Sequence, residues 1–272
     1  MELKHNKNLL YDLYISKELS LSKIASMYDV TSMTIRKWLH NNSINTRPST
    51  RVIYNDIRKI DFTDLQKSLL VGSILGDGSV IINKDCKNAH FIERHGERQK
   101  QYLLWKKESL NPFTKSKVSF TEAGNHEISG VKCYVSRSYM FSTITHSYLT
   151  ELRHIFYNGK KKIIPRNLYS MLNYLTVAIW LCDDGCFTYS TKFGVYRLDL
   201  HTESFTKEEN IYLCNILSKF FNKSFRINSR IYKSGKSYYI CLSGKNNLFD
   251  IVSILKPFIP DCMIYKFKDY II

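Results

Sequence analysis

Residues 69–79 read LLVGSILGDGS, an apolar run with small residues inside it that stops on Gly76-Asp77-Gly78. A carboxylate at the C-terminal end of a helix meets the negative pole of the helix dipole, so Asp77 stands where electrostatics disfavours it. Residues 175–186, LTVAIWLCDDGC, repeat the arrangement and stop on Asp183-Asp184-Gly185. Gly72, Ser73 and Ala178 are small residues of the kind that let two helix backbones approach closely. Packed through them, the two helices would end at one place and set Asp77 beside Asp184. The glycine after each acid is expected to take the left-handed turn that ends a helix. A divalent cation would relieve the clustered charge, with backbone carbonyls adding the hard oxygen ligands that Mg²⁺ prefers.

Working outward from these helices, the chain reads twice in one order. After the helix from Phe62 to Gly76 come the strand-like SVIIN and AHFIERH, the helical ERQKQYLLWKKESL, the strand-like KSKVSFTEA and VKCYVSRSYMF, and the helical THSYLTELRHIFYN. After the helix from Tyr174 to Asp183 come CFTYS, VYRLDLHTES, the helical TKEENIYLCNILSKFFN, SFRINSRIY, SYYICLSG and the helical NNLFDIVSILKPFI. Each pass is αββαββα, too long a period for a solenoid and fitting a duplicated unit of an α+β fold. Two such units around a pseudo-twofold axis form a saddle of strands. The repeats are assigned to residues 61–160 and 161–272.

Ahead of them, residues 20–40 read SLSKIASMYDVTSMTIRKWLH. Ser20 or Ser22 suits the cap of a first helix and Thr31 or Ser32 that of a second, with Asp29-Val30 as the turn between. Ala25, Asp29 and Ile35 occupy the spacing of a helix-turn-helix. Asp29 stands where glycine is commoner. Ser32, Met33, Arg36, Lys37 and His40 then share one face of the second helix, the face that would enter a major groove. An ordinary helical hairpin with a solvated charged face is the competing reading. The following NNSINTRPSTR, with Arg47 and Arg51, is expected to run as an extended arm along a DNA backbone or minor groove. Residues 1–46 form this all-α domain and 47–60 a basic linker.

The 40 basic against 24 acidic residues, a formal charge of +16, point to a polyanionic partner. No apolar run approaches the ~20 residues that span a bilayer, and MELKHNKNLLYDLY lacks the apolar core of a signal peptide. A soluble intracellular protein is expected, in a nucleoid-associated cytoplasm or an organelle matrix. Seven cysteines without a C-x-x-C pair fit a reducing compartment, and Cys182 and Cys186 have no partner pair at zinc spacing.

LVGSILGDG and VAIWLCDDG, with KKIIPRNL before the second, SFTKEE after it and MIYKF near the end, resemble the single-chain, two-motif LAGLIDADG homing endonucleases of the intron-encoded type. The resemblance covers about residues 60 to 270. It implies a DNA endonuclease that cuts both strands of a long asymmetric duplex with Mg²⁺ or Mn²⁺ and leaves short 3′ overhangs, working as a monomer without a membrane. By motif position it implies Asp77 and Asp184 as catalytic, metal-holding acids, Gly76 and Asp183 as donors of backbone oxygen to metal, and Lys162 and Lys266 as basic residues flanking the two centres. Ile179 departs from the glycine of the family motif.

Arg137, Arg197, Arg226, Asn228, Arg230, Tyr232 and Lys233 alternate along the predicted strands and are candidates for reading bases and phosphates. HFIERH lacks the arrangement of a His-Asn-His nuclease, so His90 and His95 read as strand surface, and Glu93 as a substrate contact or a solvated group. An intron maturase, with intron RNA as partner, and a regulator without catalysis are the alternatives on this scaffold. An intein is disfavoured, since the chain starts Met-Glu and ends DYII.

Overall fold

The computed structural model describes residues 3–115, 117–128, 131–190, 194–232, 235–267 and 270. The chain divides into two compact units, Met1–Asp56 and Ile57–Ile272.

In the first unit a 3₁₀ turn (Leu3–His5) leads to α1 (Lys7–Tyr11), a π turn (Asp12–Ser16), α2 (Leu21–Met27) and α3 (Ser32–Asn41). The Ser20 side chain caps α2 by accepting from the Lys23 N–H, and the Thr31 side chain caps α3 by accepting from Thr34. Between them Asp29 adopts φ 51°, the left-handed conformation that asparagine and aspartate tolerate better than most side chains. Ile24, Ala25, Ile35 and Leu39 close a small core with Leu3, Leu10, Leu13, Tyr14 and Ile44. Ser32, Met33, Arg36, Lys37 and His40 are all exposed.

The segment expected to be an extended arm is otherwise arranged. Arg47 is folded back on its own unit: its guanidinium donates to the carbonyls of Glu18 and Leu19 and lies 4.3 Å from the Tyr14 ring centroid, while its N–H donates to the Tyr14 hydroxyl. Carbonyls of the turn between Ser16 and α2 face a forked cation, and Arg47 satisfies two of them. Arg51 lies in a helix, α4 (Thr50–Ile57), whose start is marked by Ser49 accepting from the Val52 and Ile53 N–H groups.

The second unit opens with α5 (Asp64–Leu75), started by a capping box between Thr63 and Gln66. Then follow β1 (Ser79–Ile81), β2 (His90–Gly96), α6 (Lys100–Ser109), β3 (Ser119–Thr121), β4 (Gly124–Ile128), β5 (Val131–Val135), β6 (Ser138–Ser142) and α7 (Ser147–Phe156). A short hairpin, β7 (Tyr157–Asn158) with β8 (Lys161–Lys162), leads to the second pass: α8 (Tyr174–Asp184), β9 (Gly185–Ser190), β10 (Val195–Leu200), α9 (Lys207–Phe221), β11 (Arg226–Tyr232), β12 (Gly235–Ser243) and α10 (Lys245–Leu255). SFTKEE supplies the capping box of α9, with Thr206 and Glu209.

The two four-stranded antiparallel sheets run β1-β2-β6-β3 and β9-β10-β12-β11, the same order in the two passes. The duplication read from the pattern is therefore a duplication of topology. The first pass carries one addition, the β4–β5 hairpin, because the stretch read as a single strand from Val131 to Phe141 breaks before Ser138.

α5 and α8 are buried on every side from Ser68 to Leu75 and from Thr176 to Asp183, as helices apolar all round must be. They pack on each other at Gly72, where an added Cβ would lie 2.5 Å from the Thr176 carbonyl and 2.8 Å from the Ile179 Cβ. The bulky Ile179 is accommodated because its counterpart across the contact has no side chain. The expected left-handed glycines are absent: Gly78 and Gly185 lie outside the positive-φ set. Their small size serves close approach instead, since a Cβ would meet the Phe91 ring at 2.6 Å and the Leu181 carbonyl at 2.5 Å.

Gly72→Val is expected to lower the stability of the protein by about 1–3 kcal/mol or more through overpacking. Gly96→Ala, whose Cβ meets only the Arg137 carbonyl at 3.9 Å, should leave the melting temperature unchanged in the same calorimetric comparison.

Candidate active site

α8 ends on Asp184 with Gly185 as its cap, whereas α5 ends on Leu75, is capped by Gly76 and delivers Asp77 one residue beyond. Burial, then the charges of Asp77 and Asp183, push the Asp184 carboxyl up to about 7, against the pull of Lys162 and Lys266. Asp77 is the open member of the pair, with its side chain 42% exposed.

Each helix end has its own lysine. The Lys162 ammonium donates to the carbonyls of Gly76 and Gly78, at 2.9 and 3.0 Å. The Lys266 ammonium donates to those of Cys182, Asp183 and Gly185, at 2.5, 3.1 and 3.5 Å. A cation on the last carbonyls of a helix satisfies acceptors that have no partner within it and offsets the negative pole. Burial pulls the Lys162 ammonium below its ordinary range, opposed by Asp184, Asp77 and Asp183. The carbonyls of Gly76 and Asp183 thus already accept one hydrogen bond each, and each keeps a second lone pair.

Beside Asp77 lies a buried network that the sequence reading did not find. Lys106, from α6, is 0% exposed; its ammonium donates to both Asp183 carboxylate oxygens at 2.9 Å and to Glu93. Glu93 also pairs with His95 Nε2 at 2.7 Å, and His95 Nδ1 stands 3.7 Å from Asp77 Oδ2. Burial works against charge on all of them. Even so, Lys106 and His95 hold the Glu93 carboxyl below its ordinary range, Asp183 and Glu93 raise Lys106, and Glu93 raises His95. Burial pushes Asp183 up to about 6, opposed by Lys106 and assisted by Glu93 and Asp77.

Glu93 and His95 are therefore core residues, and their reading as strand surface or solvated group is corrected. In β2, Phe91, Glu93 and His95 alternate onto the buried face. That period of two from a phenylalanine was the available signal.

On the second sheet, Arg226, Asn228, Arg230 and Tyr232 fall on one face of β11 by alternation, and Arg197 and Asp199 on one face of β10. Leu198, Leu200, Ile240 and Leu242 are buried on the other. Three of the expected readers are already engaged with acids. Arg197 pairs with Asp199 at 2.5 Å and donates to the Tyr239 hydroxyl at 2.6 Å. Arg230 pairs with Glu203 at 3.1 Å, and Arg137 with Glu122 at 3.2 Å. Asn228 accepts from the Ser229 N–H, and Arg226 and Tyr232 are exposed. Lys233 lies outside the described residues.

Among the described residues no helix is long and apolar enough to cross a membrane. Comparison with known proteins gives a match between residues 67–249 and the profile of the LAGLIDADG DNA endonuclease family. The chain is 31% identical over 226 residues to the probable intron-encoded endonuclease 1 of Wickerhamomyces canadensis, covering 80% of this chain and 91% of that protein. It is 26% identical over 223 residues to DNA endonuclease I-ChuI of Chlamydomonas applanata, covering 77% and 97%. The fold resembles that of the homing endonuclease I-WcaI, solved bound to its DNA recognition sequence, with TM-score 0.64 at 23% identity over 83% of this chain and 96% of that one. A duplicated topology, an acid at the end of each central helix and these likenesses converge: the chain belongs to the LAGLIDADG DNA endonuclease family.

Proposed function

We propose that this protein is a site-specific endonuclease that hydrolyses both strands of a long, asymmetric duplex at a divalent-metal centre using Mg²⁺ or Mn²⁺, and leaves short 3′ overhangs. The observation that carries the reading is the delivery of Asp77 and Asp184 by the paired ends of α5 and α8, each end with its own lysine on the carbonyls. A donor set of hard carboxylate oxygens, in which burial and like charge push Asp184 up to about 7, fits a cation such as Mg²⁺. Asp77 and Asp184 would hold it, with the free lone pairs of the Gly76 and Asp183 carbonyls as further oxygens. A divalent cation bound there supplies Lewis-acid stabilisation of phosphoryl charge and a water acidified enough to attack.

The chain's own groups do the rest. Lys162 and Lys266 offset the helix dipoles so that two carboxylates can stay together. The excess of basic residues draws in a phosphate backbone. Arg226, Asn228 and Tyr232 would meet base edges or phosphates, and Arg197 and Arg230 would do so as guanidiniums oriented by Asp199 and Glu203. In each strand the P–O3′ bond breaks as water adds at phosphorus, leaving a 5′-phosphate and a 3′-hydroxyl. Since one chain carries both centres, it works as a monomer. The exposed face of α3, with Ser32, Met33, Arg36, Lys37 and His40, adds a second DNA-binding surface in the first unit.

On a duplex spanning the uninterrupted insertion site of its own gene, with Mg²⁺, the wild-type protein should make a staggered double-strand break. Asp77→Asn and Asp184→Asn should each slow cleavage by more than the ~10- to 100-fold typical of outer-shell partners while duplex binding persists. Tight binding without cleavage by the wild type would remove the reading.

In the metal-free protein the raised Asp184 pKa sets a direction for stability. The folded state holds that proton up to about 7, and the unfolded chain releases it near 4. The contribution is fully present below about 4 and is lost as pH rises through about 7. In EDTA, the melting temperature of Asp184→Asn minus that of wild type should therefore climb between these pH values and level off above them; a flat difference would contradict the assignment.

A further inference from the structure

The buried network is one-sided, and the strand register shows it. β1 pairs with β2 through Ser79 opposite Ile92, and β9 with β10 through Cys186 opposite Asp199. Ser79 and Cys186 each stand two positions after their acid, so Ile92 corresponds to Asp199, Glu93 to Leu200 and His95 to Thr202. Asp183 itself corresponds to Gly76. Glu93 and His95 thus have an apolar residue and a threonine as counterparts in the other half, and Asp183 has a glycine as its counterpart in the first.

A fully buried lysine between two carboxylates is no economical way to stabilise a core. Apolar replacements of buried ion triads are often neutral or better, whereas removing one partner strands the others. What such a group can supply is a fixed arrangement of what it touches. Here it touches the support of Asp77. The Asp183 Oδ2 accepts from the Asp77 N–H at 3.4 Å, and a Cβ on Gly76 would lie 2.5 Å from the Asp183 Cβ, so the backbone entering Asp77 rests against that side chain. α6 is further tied to α8 by the Tyr102 hydroxyl donating to the Ile179 carbonyl at 3.4 Å, with the Lys106 ammonium 4.4 Å from the Tyr102 ring centroid. One oxygen of Glu93, Oε2, is buried without a hydrogen-bond partner, which leaves the rest of that carboxylate committed to Lys106 and His95.

We infer that Lys106 is a positioning residue: anchored by Glu93, it fixes Asp183, which in turn fixes the backbone of Asp77, so the two centres are unequally supported and cut their strands at unequal rates. The strand served by Asp77 is the faster. This rests on the endonuclease reading and goes beyond it by assigning an order to the two cuts and a cause for that order.

The test is strand-resolved nicking of an end-labelled duplex with Mg²⁺, joined to hydrogen exchange of the metal-free protein. In Lys106→Met the faster strand should slow by about 10- to 100-fold, the scale on which a misplaced group acts. The other strand should keep its wild-type rate, and the amides of residues 76–79 should exchange faster than in wild type while those of 185–188 do not. Glu93→Gln, which preserves the shape and leaves Lys106 paired with Asp183, should retain the wild-type strand ratio. Asp183→Ala leaves Lys106 and Glu93 as a one-to-one pair and must move the ratio in the same direction as Lys106→Met. A wild-type ratio in Asp183→Ala overturns the inference even where Lys106→Met fails to fold. Equal slowing of both strands, the mark of general destabilisation, overturns it too. Absence of any cutting by the wild-type protein would instead remove the endonuclease reading, so the two failures are distinguishable.

Discussion

Everything at the candidate centre depends on how closely α5 and α8 approach at Gly72. With no side chain there, Ile179 and the Thr176 carbonyl come into direct contact with the α5 backbone, and the two helices end side by side. That contact converts two separate oddities, an acid at the wrong end of each apolar helix, into one cluster. The energetic penalty is visible in Asp184, which burial and neighbouring acids push up to about 7. An acid held protonated by burial and by the charge of its neighbours is one that a bound cation would relieve.

Lys162 and Lys266 reduce the penalty without removing it. Each sits on helix-end carbonyls, so their charge acts on the dipoles as well as on the acids. The two halves are alike in this respect and in sheet order, and unlike at positions 76 and 183. Gly76 is small because Asp183 fills the space beside it, and Asp183 tolerates full burial because Lys106 meets it there. The symmetry of the duplicated fold is thus broken at the pair of positions next to the acids.

How much of this was legible in the sequence follows from the range of each interaction. The central helices, the duplicated order of elements and the two helices around Asp29 rest on local periodicity, caps and small residues, all readable along the chain. Asp29 in a left-handed turn and Ile179 opposite Gly72 are details the pattern anticipated as irregularities and the packing explains. The Glu93–Lys106–Asp183 group could not be read in the same way, because its members are far apart in sequence and are joined only by folding. The alternation of Phe91, Glu93 and His95 marked a buried face, but a charged residue on such a face has no meaning until its partner is known. Arg47 was misread for the same reason: its acceptors, the carbonyls of Glu18 and Leu19, belong to a turn that only the folded unit creates. Gly78 and Gly185 looked like helix-ending turns and are sites of close approach.

The central claim is that Asp77 and Asp184 hold divalent cations at two adjoining centres because two helices deliver them to the same place. Electron paramagnetic resonance of Mn²⁺ added to the DNA-free protein at a pH above 7 tests it most directly, by counting bound and free ion. The account predicts bound Mn²⁺ in the wild type, weaker binding when either acid is changed to asparagine, and loss of that binding when both are. Undiminished Mn²⁺ binding by the doubly substituted protein would contradict it.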